Sequence, residues 1–256
     1  MKTTRSSQIL SLLFAFICLF NSQTKVLAQS GIKVDSVRWF DKSRNRVIPV
    51  AFYTPQTTKK IKKQPLVIFS HGYDANVGRA NLEYSYINEN LAAKGYFVAS
   101  IQHELPTDSL LPMTGKPQIV RRSNWERGVA NILFVLNELK KNQPALDYKQ
   151  VILIGHSNGG DMSALFGQQY PSLVSKIITL DNRRVALPRT KKPLVYSLRS
   201  SDQPADEDVL PTEEEQKKLG ITVIKLPDTI HNHMDNDANE RQRKEINDYI
   251  MKFLSK

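Results

Sequence analysis

The chain has 256 residues, a formal charge of +11 from 36 Lys and Arg against 25 Asp and Glu, and one cysteine. That length permits one well-cored domain or two small ones. A single cysteine excludes an intramolecular disulfide framework and a cysteine-based metal site. The basic residues are scattered rather than gathered on one element, so the charge reads as a soluble basic surface and not as a nucleic-acid footprint.

In chain order, residues 1–28 read as a secretory signal peptide. Lys2 and Arg5 make a basic start, Ile9–Phe20 is an apolar run, and Val26-Leu27-Ala28 suits a cleavage site. The run is shorter than the ~20 residues a membrane span needs. Secretion, or export to a periplasm, is therefore expected, with no stable membrane span after cleavage. An uncleaved anchor is the rival. The only cysteine, Cys18, falls inside this segment and would leave with it.

Residues 29–256 read as one domain alternating strand-like and helix-like segments, which predicts an α/β fold with a mostly parallel sheet. Strands are expected over 32–40 and 46–54, joined by a hairpin. The run Lys59-Lys60-Ile61-Lys62-Lys63 reads as a solvated loop before the apolar strand 66–69. A helix over 79–94 ends at Gly95, and 96–101 is a strand. Residues 103–121 hold three prolines and read as a long loop, a kind that is often functional. A helix over 122–142 has Val129, Ile132, Val135, Leu136 and Leu139 on one stripe. Strands at 151–154, 177–180, 194–198 and 221–226 follow, with helices at 158–169, 212–219 and 238–254.

Gly155-His156-Ser157-Asn158-Gly159 is a G-x-S-x-G pattern, set between an apolar strand and a helix-compatible segment. That context is the one a nucleophile elbow requires, because a sharp strand-to-helix turn exposes the serine hydroxyl at the sheet edge. Ser157 is therefore the candidate nucleophile. A serine needs a base, and of the five histidines only His231 and His233 follow Ser157. His231 is favoured, being nearer the strand end. The acid has two candidates, each just past a strand: Asp202 is preferred and Asp181 is the alternative. Oxyanion donors are expected from the backbone N–H of Asn158 and of Tyr73, in the loop Ser70-His71-Gly72-Tyr73. His71 reads as structural, and His103 either as a pocket wall or as a polar residue that ends its strand. No zinc-type ligand spacing is present, so neither a metal nor a cofactor is called for.

From about residue 64 onward the chain resembles the α/β-hydrolase superfamily. Ser70-His71-Gly72, Gly155-His156-Ser157-Asn158-Gly159-Gly160, Leu180-Asp181-Asn182 and Ile230-His231-Asn232 resemble the platelet-activating-factor acetylhydrolase and dienelactone hydrolase branch. That resemblance implies metal-free hydrolysis of esters or lactones. Acetylhydrolases place the acid where Asp181 stands and dienelactone hydrolases where Asp202 stands. The latter typically use a cysteine nucleophile, which this chain lacks.

Only about a dozen residues separate Asp181 from Leu194, too few for a large cap domain. An open site is expected, acting on small-molecule or surface-displayed esters, in a monomer or weak oligomer with no nucleic-acid partner. Asn182-Arg183-Arg184 lies near the same edge and is expected to favour an acidic acyl or leaving group. The alternatives are a peptidase or amidase of the same fold, and a non-catalytic binding protein that retains it.

Overall fold

The computed structural model describes residues 31–56, 61 and 63–256. The expected signal peptide, 1–28, and Lys59, Lys60 and Lys62 lie outside the described residues.

Eight strands form one sheet: β1 (Ile32–Asp41), β2 (Arg46–Pro55), β3 (Gln64–Ser70), β4 (Phe97–Ile101), β5 (Leu146–His156), β6 (Lys176–Leu180), β7 (Leu194–Arg199) and β8 (Thr222–Lys225). Their order is β1-β2-β4-β3-β5-β6-β7-β8. The first two strands pair antiparallel, and β2 meets β4 antiparallel. From β4 to β8 every pairing is parallel. All six parallel strands therefore end at one edge, where ligands bind in open α/β sheets.

The helices are α1 (Ser85–Ala93), α2 (Pro117–Val120), α3 (Arg122–Asn142), α4 (Ser157–Gln169), α5 (Glu213–Leu219) and α6 (Glu240–Leu254). Two apolar clusters lie on opposite faces of the sheet. Leu66 and Ile68 of β3 join Trp125, Ile132, Leu136 and Leu139 of α3. Val67 and Phe69 join Ile87 and Leu91 of α1 and Ile246, Ile250 and Phe253 of α6. Successive residues thus meet different helices, which is why a central parallel strand reads as an unbroken apolar run. Among the described residues no helix is long and apolar enough to cross a membrane.

Two sequence expectations change. The helix expected over 79–94 is a 3-10 turn, Ala80–Leu82, followed by the shorter α1. Tertiary bonds take the backbone groups a continuous helix would use: Asn81 N–H donates to Gln102 Oε1 at 3.2 Å, and Ser100 Oγ donates to the Asn81 carbonyl at 2.8 Å. The 103–121 segment is not wholly loop, since Pro117 opens the one-turn helix α2, a position where its missing N–H costs nothing.

Candidate active site

The elbow is built by close contact. Ser157 has φ of 50°, a left-handed backbone that costs a non-glycine residue energy. α4 begins at that residue and runs back under the sheet. A Cβ on Gly159 would lie 2.3 Å from the Ser70 carbonyl oxygen and 2.4 Å from that of His71. Only glycine lets α4 approach the end of β3 this closely. The result is a Ser157 hydroxyl lifted above the parallel-strand edge, at a helix N-terminus.

His231 enters from the loop after β8, in a single 3-10 turn over His231–His233. Its Nε2 is 2.9 Å from Ser157 Oγ. Its Nδ1 is 2.5 Å from Asp181 Oδ2. With Ser157 Oγ–H donating to Nε2, Nδ1–H donates to the carboxylate. His233, the weaker candidate, has no place in this chain of contacts.

Asp181, and not the preferred Asp202, is the carboxylate on the imidazole. The reason is topological. β6 is the direct neighbour of β5, so the residue past its end, itself at φ of 55°, lies within reach of the nucleophile's base. The strand ending before Asp202 is one place further out. Asp202 Oδ1 instead accepts the backbone N–H of His231 at 2.7 Å, holding the turn while leaving the ring to Asp181.

The Asp181 carboxylate is fully buried. Its Oδ1 accepts Ser200 N–H at 3.0 Å, and its Oδ2 accepts Ser200 Oγ–H at 2.7 Å. The Arg199 guanidinium lies 2.8 Å from Oδ1. Burial by itself raises the acid's pKa, but His231, Arg199 and Ser200 together outweigh it and hold the carboxyl below its usual range.

Several contributors carry no sequence signature of their own. His156 occupies a motif position that accepts any residue, yet it is buried against His231, ring centroids 4.7 Å apart. Tyr84 O–H donates to His156 Nδ1 at 2.7 Å and accepts Gly72 N–H at 3.0 Å. One phenol therefore ties the loop after β3 to the elbow. Burial and the neighbouring His231 push the His156 pKa down to about 3, so that ring stays neutral. A Cβ on Gly72 would come within 2.8 Å of His156 Nδ1, which requires glycine there.

Behind Asn158, its side chain is held on both atoms. Nδ2 donates to Glu104 Oε1 and to Asn124 Oδ1, each at 2.9 Å, and Oδ1 accepts Trp125 Nε1–H at 2.9 Å. This fixes the residue whose N–H belongs to the unpaired first turn of α4.

The cleft over Ser157 holds about 120 Å³ and is lined by Gly72, Tyr73, Tyr84, His156 and His231 among others. Of the two readings of His103, the structure fits the strand-ending one: it is buried with its Nε2 3.0 Å from Ser70 Oγ and is absent from that lining. Residues 103–121 do not wall the cleft either. Leu111 N–H donates to the Tyr73 hydroxyl at 2.9 Å, so that segment braces Tyr73 from outside.

A family model described as the alpha/beta hydrolase fold matches residues 65–201, more than half of the chain. The chain belongs to the α/β-hydrolase fold family. No curated protein matches it by sequence. Solved structures share the fold at low identity. An esterase from Rhizomucor miehei aligns at TM-score 0.64 and 14% identity, covering 90% of this chain and 84% of the other. A bacterial heroin esterase aligns at 0.59 and 15%, covering 86% and 83%. An acylaminoacyl peptidase from Pyrococcus horikoshii aligns at 0.62 and 15%, covering 88% of this hydrolase-fold chain and 41% of the peptidase. Like those chains it sets helices on both faces of a mostly parallel sheet. Among the described residues no cap domain is inserted between β6 and β7, which residues 181–193 join directly.

Proposed function

We propose that the chain is a serine hydrolase that cleaves carboxylic esters through an acyl-enzyme on Ser157. The observation that carries this reading is the unbroken Ser157–His231–Asp181 contact chain, 2.9 Å and then 2.5 Å. His231 Nε2 takes the hydroxyl proton as Oγ attacks the carbonyl carbon. The resulting imidazolium is stabilised by Asp181, which stays ionised. The backbone N–H groups of Tyr73 and Asn158 are assigned to the oxyanion. His231 then protonates the departing alcohol, and a water that it activates releases the acid. Asp181 is the acid position that the acetylhydrolase resemblance implies, which favours that branch over the dienelactone hydrolases.

The test is labelling by a fluorophosphonate probe, beside Ser157→Ala, with turnover of p-nitrophenyl acetate, butyrate and octanoate. Wild type is expected to label and to turn over at least one ester, and Ser157→Ala to do neither. A well-folded wild type that fails to label would sink the proposal and bring forward the binding-protein reading. The fold shared with an acylaminoacyl peptidase keeps a peptidase reading as the second choice. Matched ester and anilide substrates separate the two, and faster anilide cleavage would favour the peptidase.

Export through residues 1–28 is part of the proposal. The mature protein is expected to begin at Gln29, and N-terminal sequencing that returned Met1 would overturn secretion.

A further inference from the structure

Around the first turn of α4, guanidinium groups outnumber the carboxylates free to neutralise them. The 182–185 loop lies on that turn. Asp161 Oδ1 accepts the N–H groups of Arg184 and Val185, each at 2.9 Å. A Cβ on Gly160 would come within 2.9 Å of the Cβ of Asn182. Arg183 is thereby held two residues past Asp181, against the helical turn that begins with Ser157.

Every nearby carboxylate already has a partner. Asp181 faces His231 and Arg199. Asp161 is occupied by backbone N–H groups. Asp206 pairs with Arg184 and accepts Gln118 Nε2–H at 2.7 Å. Among the described residues, the half-buried Arg183 side chain makes no hydrogen bond and no ion pair. Arg121 follows α2, which Gln118 fastens to this loop through the Arg184 carbonyl, at 3.4 Å, and through Asp206. Its guanidinium donates to the Pro112 carbonyl at 2.9 Å and contacts Met113 Sδ at 3.5 Å, and among the described residues it forms no ion pair. Burial lowers the pKa of both arginines and the neighbouring guanidiniums lower it further, against a smaller opposing pull from Asp161 and Asp206 and, for Arg183, Asp181. An anion between them would relieve that repulsion. The cleft over Ser157 is itself lined by Asp74, Glu83 and Asp235 and by neither arginine, so an anion would be repelled there and would sit beyond it, on the Arg183 side of the first turn of α4.

We propose that Arg183 and Arg121 form a subsite for a carboxylate carried by the ester substrate, beyond the bond that is cleaved. This rests on the esterase reading. It divides the two arginines that the sequence offers together: Arg184 is an anchor neutralised by Asp206, and Arg183 is the recognition group. The substrate class is then an ester of a dicarboxylic acid, or of an alcohol that bears a carboxylate.

Two matched pairs test it on the full chain. Mono-p-nitrophenyl glutarate against p-nitrophenyl pentanoate places the charge on the acyl half. 4-Carboxyphenyl acetate against 4-acetylphenyl acetate places it on the alcohol half. In one pair the charged member is expected to show a kcat/KM roughly tenfold higher at low ionic strength, as for a charge-assisted pair. About 0.5 M salt should remove most of that preference. Arg183→Gln and Arg121→Gln should each lower the charged member about tenfold, chiefly through KM, and the neutral member much less. Arg183→Lys should keep part of the preference. A ratio of one or below in both pairs overturns the proposal. So does an Arg183→Gln variant that loses both members equally, which would make Arg183 a support for Asp181. The salt dependence of wild type decides the matter even if a variant fails to fold. Turnover of neutral esters at a ratio of one sinks only the subsite, whereas no turnover of any ester sinks the esterase reading with it.

Discussion

Asp181 and Asp202 both contact His231, at different atoms, and that difference sets what each substitution does. Asp181→Asn removes the acceptor that orients the ring and stabilises its charged form. It is expected to lower kcat roughly 10⁴-fold, as loss of the orienting carboxylate does in other triads. Asp202→Asn keeps an oxygen for the His231 N–H and should cost less than about tenfold, the scale of one neutral hydrogen bond. Single-turnover kinetics on one ester would separate them, and equal losses would contradict the assignment. Asp161 carries a separate pH signature. Burial raises its pKa from 3.8 to about 6 despite the backbone donors. A carboxyl that binds its proton more tightly when folded contributes stability fully below its unfolded pKa and loses it as pH rises through about 6. Asp161→Asn retains the acceptor oxygen without the charge. Its Tm should therefore gain on wild type between about pH 4 and pH 6 and level off above that, and a constant difference would argue against a buried ionising Asp161.

At the scale of elements, the site depends on how closely three segments meet: the elbow, the end of β3 and the start of α1. Tyr84→Phe deletes the hydroxyl that joins Gly72 to His156 and leaves both polar groups buried without partners. A loss of about 2 kcal/mol is expected, together with a fall in kcat greater than any rise in KM, because Gly72 precedes the proposed oxyanion donor Tyr73. A stable variant with unchanged kcat would show that the loop holds its place without this bond. Gly159→Ala forces a methyl into the Ser70 and His71 carbonyl oxygens, which are backbone and cannot swing away. About 3 kcal/mol or more should be lost, measured by denaturant unfolding. By contrast, α5 is fastened locally by the capping box of Thr212 and Glu215, so Thr212→Ala should cost only about 1 kcal/mol.

For the whole molecule, the direct connection from β6 to β7 leaves the parallel-strand edge without a cap among the described residues. Esters with bulky alcohols should then be hydrolysed with kcat/KM values within about tenfold of their small-alcohol counterparts, since little apolar wall is available to discriminate between them. A steep fall with alcohol size would mean that loops flanking the cleft close over the substrate. Where that edge meets the cleft it is lined by Asp74, Glu83 and Asp235, although the protein as a whole is basic.

The sequence by itself determined the fold class and the candidates for nucleophile and base. Apolar runs such as Leu66–Phe69 and Val151–Ile154, short and bounded by polar and glycine-bearing segments, are what central parallel strands require. The G-x-S-x-G turn carries its own steric logic, and chain order leaves two histidines after Ser157. Only the tertiary structure decided between Asp181 and Asp202, because both end strands and the choice depends on which strand lies beside β5. It also decided the roles of Tyr84, Glu104 and Asn124, which are distant in sequence from Ser157, and the division of labour between Arg183 and Arg184. Periodicity and local motifs report which way a side chain faces along its own element. Which carboxylate reaches which imidazole or guanidinium is a property of neighbouring elements, and it exists only once the sheet has assembled.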